Sequence, residues 1–194
     1  GEDRFDPAEM AGSLVEGGGE IIAVWGAGPV GLFAIQSAKI MGAERIIAIE
    51  TVPERLALAE RFGARAIDLE KEDPREPVRA ATGGRGADVV VEAVGHPEAL
   101  DLAIRLARKA GRVSGIGVYA ERVQVHMGLV WIKALSLRTG FANVVGHLDR
   151  VIALLESGRL DPRPLVTHHL SLNEAPEGYA IYDRREALKV VLKP

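Results

Sequence analysis

The residues whose types and spacing suggest chemistry sit near the start of the chain. Gly26-Ala27-Gly28-Pro29-Val30-Gly31 spells G-x-G-x-x-G. A chain with 22 glycines produces such a pattern by chance at times, so its surroundings decide its meaning. Here it directly follows a compact apolar run, Glu20 to Trp25 (EIIAVW), and directly opens a segment with helical spacing. That is the context a phosphate-holding turn requires. Gly26 permits the tight turn, Gly28 lets backbone approach a diphosphate, and Gly31 lets the helix pack close to the strand. Amides at the helix start, aided by the helix dipole, favour the anion. Pro29 and Val30, followed by a third glycine, suit a dinucleotide better than the related loop of S-adenosylmethionine methyltransferases.

Glu50 follows Gly31 by 19 residues, at the end of the next apolar run. A carboxylate there can accept hydrogen bonds from ribose hydroxyls and repels a 2′-phosphate, which favours NAD over NADP. Arg55 lies close enough in sequence to temper that preference. Other chemistry is poorly supplied. The chain has no cysteine, so a thiol nucleophile, a disulfide framework and a thiolate zinc site are excluded. The histidines, His96, His126, His147, His168 and His169, show no ligand spacing, and the last two alternate faces if extended. No metal ligand set is expected. The formal net charge of −3 offers no basic footprint for nucleic acid. No apolar stretch is long enough for a membrane span, and the acidic opening GEDRFDPAEM is not a signal peptide. A cytoplasmic protein is the default.

The elements that must position this chemistry alternate. Asp6 to Gly12 reads as a short helix with Asp6 as cap and Pro7 at its first position. Strands are expected at Glu20–Trp25, Arg45–Ile49, Ala66–Leu69, Ala87–Val94 and Arg112–Val118. Helices are expected at Pro29–Met41, Pro53–Phe62, Asp73–Ala81 and Pro97–Lys109, from apolar residues recurring every three or four positions. Beyond these lie a strand at Leu135–Thr139, a helix at Val144–Ser157, a strand at Val166–Leu170, a helix opened by Ser171-Leu172-Asn173-Glu174, and a strand at Ala187–Leu192. Near-continuous apolar strands alternating with helices mean a parallel sheet covered on both faces, an α/β doubly wound (Rossmann) fold.

Four segments resemble the cofactor-binding half of the medium-chain dehydrogenase/reductase superfamily, within it the zinc-dependent alcohol dehydrogenases. They are AEMAG (Ala8–Gly12), AVWGAGPVGLFAIQSAKIMGA (Ala23–Ala43), RLALAERFGA (Arg55–Ala64) and GGRGADVVVEAVG (Gly83–Gly95), with the closing ALKVVLKP region in support. The resemblance implies NAD(H) binding by a domain at 1–164, with 165–194 a segment that in relatives returns to the catalytic domain. It also implies cofactor contacts for Arg55, for Ala93 and Val94 on the adenine side, for Gly117 and Val118 on the nicotinamide side, and for Lys189 near the diphosphate. The GroES-like catalytic domain with its zinc falls outside this chain, so this chain alone is expected to bind cofactor without turnover. The resemblance further implies a homodimer joined through a strand within Trp131–Thr139. Two other readings stay open: a standalone nucleotide-sensing module, and the cofactor half of a zinc-independent NADPH quinone or enoyl reductase, which Glu50 disfavours.

Overall fold

The structure, a computed structural model, describes residues 19–194. The helix expected at Asp6–Gly12 therefore lies outside the described residues. Strand β1, Ile21–Trp25, is buried along its whole length. Its side chains alternate between two apolar clusters. Ile22 and Val24 join Leu32, Ile35 and Ala38 of helix α1, Pro29–Ile40. Ile21, Ala23 and Trp25 join Ala99 and Ala103 on the other face. A strand with both faces covered must be apolar throughout, which is why IIAVW does not alternate.

The chain continues through β2 (Arg45–Glu50), α2 (Pro53–Arg61), β3 (Arg65–Asp68), α3 (Arg75–Ala81), β4 (Ala87–Glu92), α4 (Pro97–Leu106), β5 (Ala107–Gly115), α5 (Met127–Ile132) and β6 (Ser136–Thr139). These six strands form one parallel sheet in the order β3-β2-β1-β4-β5-β6. The order reverses between β1 and β4, leaving a crevice beyond their carboxyl ends, where open α/β sheets bind ligands. Then come α6 (Val144–Glu156), β7 (His168–Ser171), α7 (Ala175–Asp183) and β8 (Val190–Lys193). β7 and β8 form a separate parallel pair. This unit is joined to the first. Leu165 and Leu188 are buried in the cluster that holds Ile22 and Val24, and the Gln36 amide exchanges two hydrogen bonds with the Asp161 backbone, at 3.0 and 3.2 Å.

Several boundaries differ from the sequence expectation. The helix beginning at Pro97 ends at Leu106, not Lys109, and β5 covers 107–115 rather than 112–118. Lys133 supplies the reason. Its Nζ donates to the carbonyls of Ile104 and Arg105, each at 2.9 Å, and of Ala107 at 2.5 Å, which caps the helix there. Burial, then the nearby charges of Arg105 and Arg79, hold the Lys133 amine below its ordinary pKa. The strand expected within Trp131–Thr139 is present and occupies only the end of that range. Trp131 and Ile132 belong to α5, capped by His126, whose Nδ1 accepts the Leu129 amide at 3.0 Å; only Ser136–Thr139 is extended. Helix α3 starts at Arg75, although Asp73 does accept the Arg75 amide as a cap would. The last two strands begin two and three residues later than expected and end one residue later, at His168–Ser171 and Val190–Lys193.

Candidate functional site

The carboxyl end of β1 delivers the glycine run to the crevice. Gly26 has φ +90°, a left-handed conformation that favours glycine. Its amide donates to the Ile49 carbonyl at 2.8 Å, and a Cβ there would lie 2.7 Å from Val94 Cγ2. Helix α1 then begins at Pro29, and its first ladder bond runs from the Leu32 amide to the Gly28 carbonyl at 2.9 Å. The Val30 and Gly31 amides precede that bond and so have no intrahelical acceptor. A Cβ on Gly28 would meet nothing within 4 Å, so this position faces open space. A Cβ on Gly31 would lie 1.8 Å from the Gly26 carbonyl oxygen. Gly31 is thus required chiefly by the loop folding over its own helix, more than by the helix–strand packing expected from sequence.

Glu50 ends β2 beside this loop. Its Oε2 accepts the Ala27 amide at 2.9 Å, and its Oε1 accepts the Thr51 amide at 2.8 Å and the Val52 amide at 3.3 Å. Arg55 stands 3.7 Å from Oε2. The structure therefore brings Gly26, Gly28, Pro29, Val30, Gly31, Glu50 and Arg55 together at one end of the sheet. Ala93 and Val94 join them from the end of β4: the Ala93 amide donates to the Trp25 carbonyl at 2.8 Å, and Val94 abuts Gly26. Gly117 and Val118 follow β5 and touch the β4 loop directly, since a Cβ on Gly117 would lie 2.1 Å from the Gly95 nitrogen. Val30, Val94 and Val118 are 56%, 50% and 85% exposed, so three apolar side chains rim the crevice without cover among the described residues. Lys189 is not brought to the loop. It lines a groove with Tyr179, Tyr182 and Leu192 beside the β7–β8 pair.

Sequence reasoning passed over Glu92, Gly95 and Tyr119. Glu92 is fully buried at the end of β4 and receives amides from Val94 and Gly95 and the hydroxyl of Tyr119. The available signal was a single acid inside the apolar run VVVEAV, since a carboxylate is seldom buried without dedicated partners.

Chemically, the arrangement offers free amides, an open backbone lip, a carboxylate beside them and an apolar rim. These suit a diphosphate, a sugar and flat rings, so the residues present fit a dinucleotide. Zinc is different. Among the described residues no group of three or more His, Cys, Asp or Glu could hold a metal ion. These residues do not supply zinc a ligand set. No helix among them is long and apolar enough to cross a membrane.

This is the site of a dinucleotide-type α/β domain, and comparison with known proteins narrows the class. A family profile described as zinc-binding dehydrogenase matches residues 29–157. An L-threonine 3-dehydrogenase of Bacillus velezensis is 37% identical over 175 residues, covering 89% of this chain and 50% of that protein. A probable zinc-binding alcohol dehydrogenase of Mycobacterium tuberculosis is 38% identical over 179 residues, covering 91% and 46%. Among solved structures, the alcohol dehydrogenase of Thermus sp. ATN1 superposes with a TM-score of 0.91 at 45% identity, covering 96% of this chain and 54% of that one. An alcohol dehydrogenase of Thermotoga maritima gives 0.86 at 31%, with 96% and 54% covered. The chain belongs to the zinc-binding dehydrogenase family. It spans about half the length of the relatives it matches.

Proposed function

We propose that this chain holds NAD(H), in preference to NADP(H), as the cofactor-binding part of a dehydrogenase acting on an alcohol or polyol. The observation that carries this reading is the Glu50 carboxylate seated on the Ala27 amide, inside the glycine loop it must accompany. The diphosphate lies over Gly28 and the Val30 and Gly31 amides. Glu50 accepts the adenosine ribose hydroxyls with its remaining lone pairs and repels a 2′-phosphate. Arg55, 3.7 Å from Glu50 Oε2, contacts the adenosine ribose beside it. Ala93 and Val94 flank the adenosine half, and Gly117 and Val118 face the nicotinamide half. When bound, the nicotinamide supplies the carbon that exchanges hydride. Val118 gives that part of the crevice an apolar wall, and Val30 and Val94 continue the apolar rim along the rest of the cofactor. Positioning and activating the alcohol require groups these residues do not supply.

Titration calorimetry tests the reading. NADH is expected to bind saturably at one site per chain. Glu50→Gln is expected to lower the preference for NAD over NADP by about tenfold, or about 1.4 kcal/mol. Absence of saturable binding, or an unchanged preference in the variant, would refute it.

We further infer a homodimer formed by the outer edge of β6. Among the described residues Ser136–Thr139 ends the sheet order and all four residues are exposed, and a strand at the margin of a sheet is a template for another strand.

A further inference from the structure

We propose that Glu92 and Tyr119 form a latch that holds Val118 in the crevice, making Tyr119 a positioning residue for the nicotinamide half of the cofactor. The inference rests on the dinucleotide reading given above. Glu92 joins two loops. Its backbone carbonyl accepts the amides of Ile116 at 2.8 Å and Gly117 at 3.0 Å, after β5. Its Oε1 accepts the amides of Val94 at 2.8 Å and Gly95 at 2.9 Å, after β4. Its Oε2 accepts the Tyr119 hydroxyl. The loops touch so closely that a Cβ on Gly95 would lie 2.3 Å from the Val118 carbonyl oxygen.

The two loops are not held equally. The β4 loop keeps the Ala93–Trp25 bond and both Oε1 bonds whatever Tyr119 does. The chain leaves regular structure after Gly115, and among the described residues the Tyr119 hydroxyl makes the only hydrogen bond from 118 to 124. Val118, 85% exposed, precedes it directly. Glu92 has no basic partner among the described residues, so neutral donors alone meet its buried carboxylate, and Tyr119 is one of three. Burial, with the hydrogen bond to Glu92 and its charge, pushes the Tyr119 phenol far above its ordinary range. Tyr119 therefore stays a donor at any working pH rather than a proton shuttle.

The test compares two probes that share the adenosine diphosphate half, NADH and ADP-ribose, by calorimetry on the whole chain. Tyr119→Phe is expected to weaken NADH about tenfold and ADP-ribose less than twofold, and to reduce the fluorescence enhancement of bound NADH. Glu92→Gln, which also disturbs Val94 and Gly95, is expected to weaken both. Circular dichroism checks folding, and if Glu92→Gln does not fold, Tyr119→Phe alone decides. An equal effect of Tyr119→Phe on both probes, or none on either, overturns the latch while leaving the dinucleotide reading intact. Failure of the unmodified chain to bind either probe overturns both.

Discussion

Two glycines of one loop do opposite things. At Gly31 a methyl group would sit 1.8 Å from a backbone oxygen, and no flexible side chain is there to give way. Gly31→Ala is expected to destabilise the fold by about 3 kcal/mol or more, as forced strain in a packed backbone does. At Gly28 a methyl group would meet nothing, and its φ of −67° suits alanine. Gly28→Ala is expected to leave thermal unfolding within about 0.5 kcal/mol of the unmodified chain, while weakening NADH binding. Unfolding and titration on the same pair of variants check both halves of the contrast. Both glycines and Glu50 were legible in the sequence because their chemistry is local, set by spacing and by a strand-to-helix turn. The Glu92–Tyr119 contact was not, because it spans 27 residues and exists only once β4 and β5 pair.

Between elements, one carboxylate ties three strands and a loop. Asp88, early in β4, accepts the Ile21 amide at the start of β1 and pairs with Arg108 of β5, with Arg85 nearby. Burial pushes its pKa up, but the Ile21 amide and the two guanidinium groups outweigh that, and it lies below the ordinary 3.8. A carboxyl depressed by folding adds stability above its unfolded pKa and loses it as pH falls through the folded value. The contribution is therefore full at neutral pH and fades below about pH 4. Asp88→Asn is expected to cost about 2 kcal/mol at pH 7 and much less near pH 2, as read from urea midpoints at both pH values. A constant difference would contradict this. At this scale the sequence gives element types better than their ends. The apolar face of α4 could have run on past Leu106; Lys133, distant in sequence, caps its last carbonyls, and the pairing of Ala107 with Ala87 turns the chain into β5. The Val130-Trp131-Ile132 run suits strand or helix alike, and the cap at His126 decides it.

Across the molecule, the reversal between β1 and β4 places every proposed cofactor residue except Lys189 at one end of the sheet, while β6 stands at one lateral margin of the described sheet. If two copies join there, Leu137→Asp puts a charge on the contact. Light scattering is expected to show the mass of two chains for the unmodified protein and of one for the variant; an unchanged mass would refute the edge contact. The alternation of strands and helices made the six-stranded sheet legible. The β7–β8 pair was not, since parallel pairing of two distant strands leaves no local trace. The seating of Leu165 and Leu188 beside Ile22 and Val24 has a further result. The tail and the first strand are therefore expected to melt as one cooperative unit in a thermal scan, and severing the chain after residue 164 is expected to excavate the protein's interior rather than trim an appendage.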